Sequence, residues 1–291
     1  MAIQSTPKKL RVAVLGCGFM GTALLLGIIK DLDKSEYDLK FSVSARSGTS
    51  IKRLRQTFDS YRDQVDVISL DNADAARGAD VVILAFQPQQ LAEVLGYRAL
   101  VRAIQGKLVV SILAGVSSLQ VAQELYGSKE LTTQTRVSRA IPSIGAQIGE
   151  SMTLIADTVL STSDRDLITW LFQRVGPTQL LPEHLINTTT AVSAACHALA
   201  VVAVDAIVDG SVAEGVPRPV ALNIASQCLR SASTLLREQM TIESLKESMS
   251  VARGITINAL LQLDRGQVRA GISDAVKFAV QYSNQMSEGS N

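Results

Sequence analysis

Leu10-Arg-Val-Ala-Val-Leu15 runs directly into Gly16-Cys-Gly18-Phe-Met-Gly21, and Thr22-Ala-Leu-Leu-Leu-Gly27 follows without a break. The first stretch reads as an apolar strand and the last as a helix, so the G-x-G-x-x-G between them sits where a strand turns into a helix. That setting gives the motif its meaning. Gly16 permits the tight turn, Gly18 lets the backbone approach a pyrophosphate, and Gly21 lets the helix pack closely on the strand. A helix starting there aims its free N–H groups and the positive end of its dipole at phosphate oxygens. The stretch predicts dinucleotide binding, with Gly16, Gly18, Phe19, Met20 and Gly21 at the cofactor.

Outward from this motif, strand and helix patterns alternate. Strands are expected at 39–44, 65–70, 79–85, 107–112 and 135–139, and helices at 51–58, 88–101 and 119–125. Pro88 opens its helix where proline is tolerated, and Ser117 or Ser118 can cap the next one. Such alternation implies a parallel sheet covered on both faces, with the ligand at the C-terminal ends of the strands. Residues 152–156 and 178–181 read as added strands around a helix at 164–175. From about Glu183 helical spacing takes over, with helices at 184–213, 217–238, 242–250, 254–264 and 267–285 and a loose tail from Ser287. The expected fold is α/β: a doubly wound Rossmann-type domain over 1–181, then an all-helical domain over 182–291.

Composition narrows the function classes. The chain has 291 residues, 47% hydrophobic and 19% charged, which is enough for two packed domains. A net charge of +1 gives no electrostatic footprint for nucleic acid. Cys17, Cys196 and Cys228 form neither a disulfide framework nor a metal pair, so no metal site and a reducing, cytoplasmic setting are expected. Residues 1–9 are polar and carry no secretory core. Thr188 to Val208 is long and apolar enough to span a bilayer, but it holds His197 and Asp205; a helix buried against other helices is expected, not a membrane span.

The end of the second strand separates the two nicotinamide cofactors. An acid there binds the ribose 2′-OH of NAD, whereas arginine and neutral groups suit the 2′-phosphate of NADP. Here it reads Ser42-Val-Ser44-Ala-Arg46-Ser47-Gly48, with no acid. NADPH is therefore expected over NADH, held by Ser44, Arg46 and Ser47. Two more strand-end loops, Ala85-Phe-Gln87-Pro88-Gln89 and Ser111-Ile-Leu-Ala114-Gly115-Val116, fall where the nicotinamide half would lie.

Together these stretches resemble the Δ1-pyrroline-5-carboxylate reductase family over nearly the whole chain. Gly16–Gly27 matches its G-x-G-x-M-G-x-A-L-L-x-G, and Ala85–Gln89 its A-V-K-P-Q. Ser111–Val116 matches S-I-x-A-G-V, and Arg139-Ala-Ile-Pro142-Ser143 begins its R-x-M-P-N-T-P segment. Thr190–Leu199 and Val251–Ile257 match T-A-x-S-G-S-G-P-A-Y and S-P-G-G-T-T-I. The resemblance implies NAD(P)H in the first domain, dimerisation through the helical domain and reduction of a cyclic imine. Ala85, Gln87, Pro88, Ala114 and Gly115 would then face the cofactor, and Ser143, Val251, Arg253, Gly254, Ile255 and Thr256 the substrate.

The departures gather on the substrate side. Thr256 keeps the family's threonine beside the imine nitrogen. Val251, Ala252 and Arg253 replace serine, proline and glycine, Ser143 replaces asparagine, Gln87 replaces lysine, and His197 replaces the proline of G-P-A-Y. Valine donates no hydrogen bond, so an unpaired substrate carboxylate in a closed site would cost several kcal/mol. Either Arg253 takes over that carboxylate or the substrate lacks one. His197, in a family motif near the substrate, is with Thr256 a candidate catalytic residue that could protonate a nascent amine or orient a substrate carbonyl. The leading expectation is an NADPH-dependent reductase of a cyclic imine of specialised, alkaloid-like metabolism, working as a homodimer or higher oligomer. Ordinary pyrroline-5-carboxylate reduction, reduction of a ketone or aldehyde with His197 as the acid, and a non-catalytic cofactor-binding or interaction protein are the alternatives.

Overall fold

The computed structural model describes residues 7–31, 37–69, 71–127 and 136–288. Eight strands form one sheet: β1 (Lys8–Leu15), β2 (Tyr37–Ala45), β3 (Val65–Ser69), β4 (Val81–Leu84), β5 (Leu108–Ser111), β6 (Val137–Ile141), β7 (Thr153–Asp157) and β8 (Thr178–Pro182). Their order is β3-β2-β1-β4-β5-β6-β7-β8. The first six are parallel; β7 runs antiparallel to β6, and β8 parallel to β7. The sheet is thus parallel where the alternating pattern predicts it and mixed at one edge.

Successive strand residues point to opposite faces, and both faces are dry. Leu10, Val12 and Val14 of β1, with Val81 and Ile83 of β4, enter one core; Ala13, Leu15, Val82 and Leu84 enter the other. Helices α1 (Phe19–Lys30), α2 (Gly48–Thr57) and α7 (Thr162–Gln173) cover the first face. Helices α3 (Asn72–Arg77), α4 (Leu91–Leu95), α5 (Arg98–Ile104) and α6 (Ser118–Tyr126) cover the second. Strands buried on both sides read as continuous apolar runs, hence Val81-Val-Ile-Leu84.

Several boundaries follow from local chemistry. Ser47 caps α2 by accepting the Ser50 N–H, and Ser117, not Ser118, caps α6 by accepting that of Gln120. The helix expected over 88–101 is broken: Pro88–Gln90 is a 3₁₀ turn, α4 ends at Gly96, and Tyr97 is extended before α5. The sixth strand lies at 137–141 instead of 135–139, with Thr135 outside the described residues, as is Leu70 of the expected third strand. Helix α3 was not expected. Asp71 nucleates it by accepting the N–H groups of Ala73 and Asp74.

The remaining helices are α8 (Ile186–Ala213), α9 (Arg218–Glu238), α10 (Ile242–Met249), α11 (Ile255–Arg265) and α12 (Val268–Glu288). Helix α12 extends into the stretch expected as a loose tail; residues 289–291 lie outside the described residues. The chain divides into two compact units, Met1–Thr190 with Ser283–Asn291, and Ala191–Tyr282. The divisions fall inside α8 and α12. Within one chain α8 is not the buried helix that its apolar composition predicts: Ile186, Ala191, Ala195 and Val208 are buried, but Val201 and Val202 are 70% and 65% exposed. Among the described residues, Glu183–Ala213 is the helical stretch long and apolar enough to cross a membrane.

Candidate cofactor cleft and substrate turn

A cleft of about 880 Å³ opens over the C-terminal ends of β1, β2, β4 and β5. It sits where the strand order reverses around β1, the position at which open α/β sheets take their ligands. Gly16 turns the chain at φ +77°, and a side chain there would lie 2.5 Å from Phe86 Cβ, so only glycine fits. A methyl group on Gly18 would meet no protein atom nearer than Gly16 O at 3.8 Å, which leaves the backbone open to a ligand. Gly21 brings α1 against the sheet, where an added Cβ would lie 3.2 Å from Ala85 Cβ. Helix α1 starts from Gly18 with no side-chain cap among the described residues, so its first-turn N–H groups face the cleft uncapped.

The glycine turn is held from behind. Cys17 N–H donates to Ser44 O at 2.9 Å, and Arg53 Nη2 donates to Cys17 O at 3.0 Å. The Cys17 thiol is buried, which pushes its pKa up to about 11 against the lowering effects of Thr22 and Arg53. It is therefore a neutral packing group, not a nucleophile.

Of the cofactor residues expected from sequence, Gly16, Gly18, Phe19, Met20, Arg46, Ala85, Gln87, Pro88 and Ala114 line the cleft. Gly21 packs behind it, Ser47 is spent capping α2, and Gly115 makes the turn after Ala114 at φ +76°. Ser44 is corrected: it is fully buried, and its hydroxyl donates to Asn72 Oδ1 at 2.6 Å instead of facing the cleft. Asp71, Asn72, Ser50, Glu93 and Tyr97 line the cleft and were missed. The signal for the first two was present, since Asp71-Asn-Ala-Asp-Ala-Ala-Arg77 is a capped first turn followed by helix formers. Asp71 is an acid on the cleft wall, but it lies after β3, and its Oδ1 already accepts two backbone N–H groups.

The expected substrate residues fall in both units. Ser143, in the first, receives its backbone order from Ser151: Ser143 N–H donates to Ser151 Oγ at 2.9 Å, and Ser151 Oγ lies 3.1 Å from Thr153 Oγ1. In the second, Val251–Gly254 forms a turn closed by Gly254 N–H to Val251 O at 2.9 Å, and Gly254 caps α11. Arg253 sits in this turn at φ +58°, a left-handed conformation that favours glycine. Gly254 itself cannot be replaced cheaply, because an added Cβ would lie 2.7 Å from Val251 Cγ2. Ile255 is exposed and Thr256 half-buried in the first turn of α11. His197 is exposed on α8 with Nδ1 2.8 Å from Ser193 O; a carbonyl can only accept, so Nδ1 carries the proton and Nε2 is left for a partner. Among the described residues no hydrogen bond or ion pair joins His197 to the 251–256 segment, and no group of three His, Cys, Asp or Glu side chains could hold a metal.

Comparison with known proteins agrees with this architecture. The family model described as pyrroline-5-carboxylate reductase dimerisation matches residues 183–286, and the one described as NADP oxidoreductase, coenzyme F420-dependent, matches 11–115. A pyrroline-5-carboxylate reductase of Lophium arboricola is 33% identical over 97% of this chain and 94% of its own; one of Neurospora crassa is 30% identical over the same shares. The crystal structure of Plasmodium falciparum pyrroline carboxylate reductase with NADP bound has the same fold, with a TM-score of 0.78 at 19% identity over 97% of this chain and all of that one. The glycine turn, the strand-end loops and the helical second unit therefore belong to one inheritance: this chain is a member of the pyrroline-5-carboxylate reductase family.

Proposed function

We propose that the protein is an NADPH-dependent reductase of a cyclic imine whose substrate pocket differs from that of ordinary pyrroline-5-carboxylate reductases. The observation that carries the reading is the cleft, with an uncapped helix N-terminus, open space at Gly18, Arg46 at its rim and no acid at the end of β2. These residues fit a phosphorylated dinucleotide. The N–H groups of the first turn of α1 would hold its pyrophosphate, Arg46 and Ser50 its 2′-phosphate, and the loops around Gln87 and Ala114 its nicotinamide. A bound reduced nicotinamide supplies hydride for the carbon of a C=N bond. An iminium needs little further activation, so the chain's own task is to position the substrate and exclude water.

Residues 1–181 serve in this reading as the cofactor domain, and 182–291 as the substrate domain and the basis of a homodimer. Thr256 and His197 are the candidate catalytic side chains, with His197 Nε2 free to hold or move a proton. Ser143, Val251, Arg253, Gly254 and Ile255 shape the substrate end. The retained turn geometry with arginine at a glycine conformation supports a changed specificity, because the backbone is kept while its donor chemistry is exchanged.

A second reading, ordinary pyrroline-5-carboxylate reduction, is favoured by the name of the Lophium arboricola relative. Purified protein is given NADPH with pyrroline-5-carboxylate and, separately, with cyclic imines that lack the carboxylate, and loss of NADPH absorbance is followed. Turnover of the uncharged imines is expected. Turnover of pyrroline-5-carboxylate alone would establish the second reading, and binding of NADPH without its consumption by any imine would leave only cofactor binding.

A further inference from the structure

We infer that Arg139 is a positioning residue that, with Glu183, clamps the loop forming the nicotinamide side of the cleft. The inference rests on the dinucleotide reading above. The loop leaves β5 at Ser111, contributes Ala114 to the cleft, turns at Gly115 and ends at the Ser117 cap of α6. Its own hydrogen bonds are weak: Leu113 N–H to Ser111 Oγ at 3.2 Å and Val116 N–H to Leu113 O at 3.5 Å. Its shape therefore depends on outside partners.

One is the neighbouring strand, where Ile112 N–H donates to Leu84 O at 3.0 Å; beyond Gly115 the partners are charged. Arg139 lies on β6 with its side chain 1% exposed. Nη1 donates to Val116 O at 2.7 Å, Nη2 donates to Asn187 Oδ1 at 2.8 Å, and Nε lies 3.0 Å from Glu183 Oε1. Glu183 in turn accepts from Ser118 N–H at 3.2 Å and from Ser118 Oγ at 2.9 Å. A guanidinium thus grips the loop at Val116 and a carboxylate grips it at Ser118, and the two gripping groups pair with each other. Apolar residues of equal size would stabilise the fold at least as well. A planar fork with two N–H groups on acceptors and its charge beside Glu183, where Nε makes an ion pair without hydrogen-bond alignment, contributes fixed directions, which is what a cofactor loop requires.

The other end of the cleft is held separately, by Ser44 on Asn72 and Arg53 on Cys17 O. The two ends can be loosened independently, and that separates positioning from mere stability. Wild-type protein, Arg139→Gln, Arg139→Lys, Glu183→Gln and Ser118→Ala are titrated with NADPH and with 2′,5′-ADP, which has the adenosine and 2′-phosphate but no nicotinamide. Arg139→Gln and Glu183→Gln are expected to weaken NADPH about tenfold, the loss of a charged hydrogen bond, while 2′,5′-ADP changes by less than about twofold. Ser118→Ala, which removes one hydroxyl without uncovering a charge, weakens NADPH about threefold. Arg139→Lys recovers part of the affinity, since an ammonium reaches one acceptor but cannot fork. Parallel weakening of both nucleotides, or unchanged NADPH affinity in folded Glu183→Gln and Ser118→Ala, overturns the clamp. Wild-type protein that binds neither nucleotide overturns the dinucleotide reading itself, and the clamp with it.

Discussion

Arg253 is the residue at which backbone demand and side-chain chemistry disagree. Its left-handed conformation costs an L-residue roughly 1–2 kcal/mol, which glycine would not incur. Arg253→Gly is therefore expected to leave folding intact or raise stability by up to about 1 kcal/mol after glycine's own entropy cost. If its guanidinium holds a substrate anion, the same variant raises the Michaelis constant for carboxylated imines and leaves uncharged ones unchanged. At the opposite end of the chemistry, Arg46→Ala is expected to weaken NADPH by about tenfold or more and leave NADH nearly unaffected, as nucleotide titration would show. Cys17 yields a pH effect whose sign is definite. Its folded pKa of about 11 stands above the ordinary 9.0, so its contribution to stability is complete below pH 9 and is lost as pH rises toward 11. Thermal unfolding over that window should shift downward in the wild type and less in Cys17→Ala. The contrast between Ser44 and Arg46 shows what sequence leaves open at this scale: both stand at the end of β2, but the hydroxyl is buried on Asn72 and the guanidinium lines the cleft. Side-chain direction at a strand end depends on neighbours from β3 and α3 that no local motif names.

At the scale of elements, the first five strands and most helices were legible because their apolar periodicity agrees with their caps. Short pieces were not. Helix α3 has six residues, too few for periodicity to register, and the break at Gly96 needs knowledge that the chain restarts against a different part of the core. The direction of β7 was likewise unwritten, since strand composition carries no polarity. The lead-in to α7 offers a test of element stability. Arg136 donates to both oxygens of Asp164, Nε to Oδ2 at 2.9 Å and Nη2 to Oδ1 at 2.5 Å, and Asp164 sits in the first turn of α7. These hydrogen bonds hold the carboxyl below its ordinary 3.8 despite burial. A depressed carboxyl pKa stabilises above the unfolded value and loses that contribution as pH falls below it. Asp164→Asn should cost about 1–2 kcal/mol at neutral pH, reduced because Arg136 is partly solvated, and the difference from wild type should shrink in denaturant titrations below pH 4.

For the whole molecule, the two-part architecture and the family were legible, whereas the surface of the helical unit was not. Composition predicted a buried α8, but one chain leaves Val201, Val202, Ile224 and Phe278 between 55% and 70% exposed. Apolar residues exposed in such numbers mark contact surfaces, and the dimerisation model covers this unit. Sedimentation is expected to find a dimer or larger assembly, and Val202→Glu to shift it toward monomer. The burial that the sequence advertises is then completed by a second copy, which no single-chain pattern can specify.

The placement of Arg139 and Glu183 has a consequence in time. Every residue lining the cleft has been synthesised once Ala114 is made, and the glycine turn and the Arg46 rim precede it by many residues. Val116 O meets its donor only after Arg139 emerges, and Ser118 meets its acceptor only after Glu183. In the dinucleotide reading a nascent chain can thus assemble the adenosine end of its binding site long before the nicotinamide end acquires a settled shape, and maturation of the site waits on the segment that leads into the helical unit.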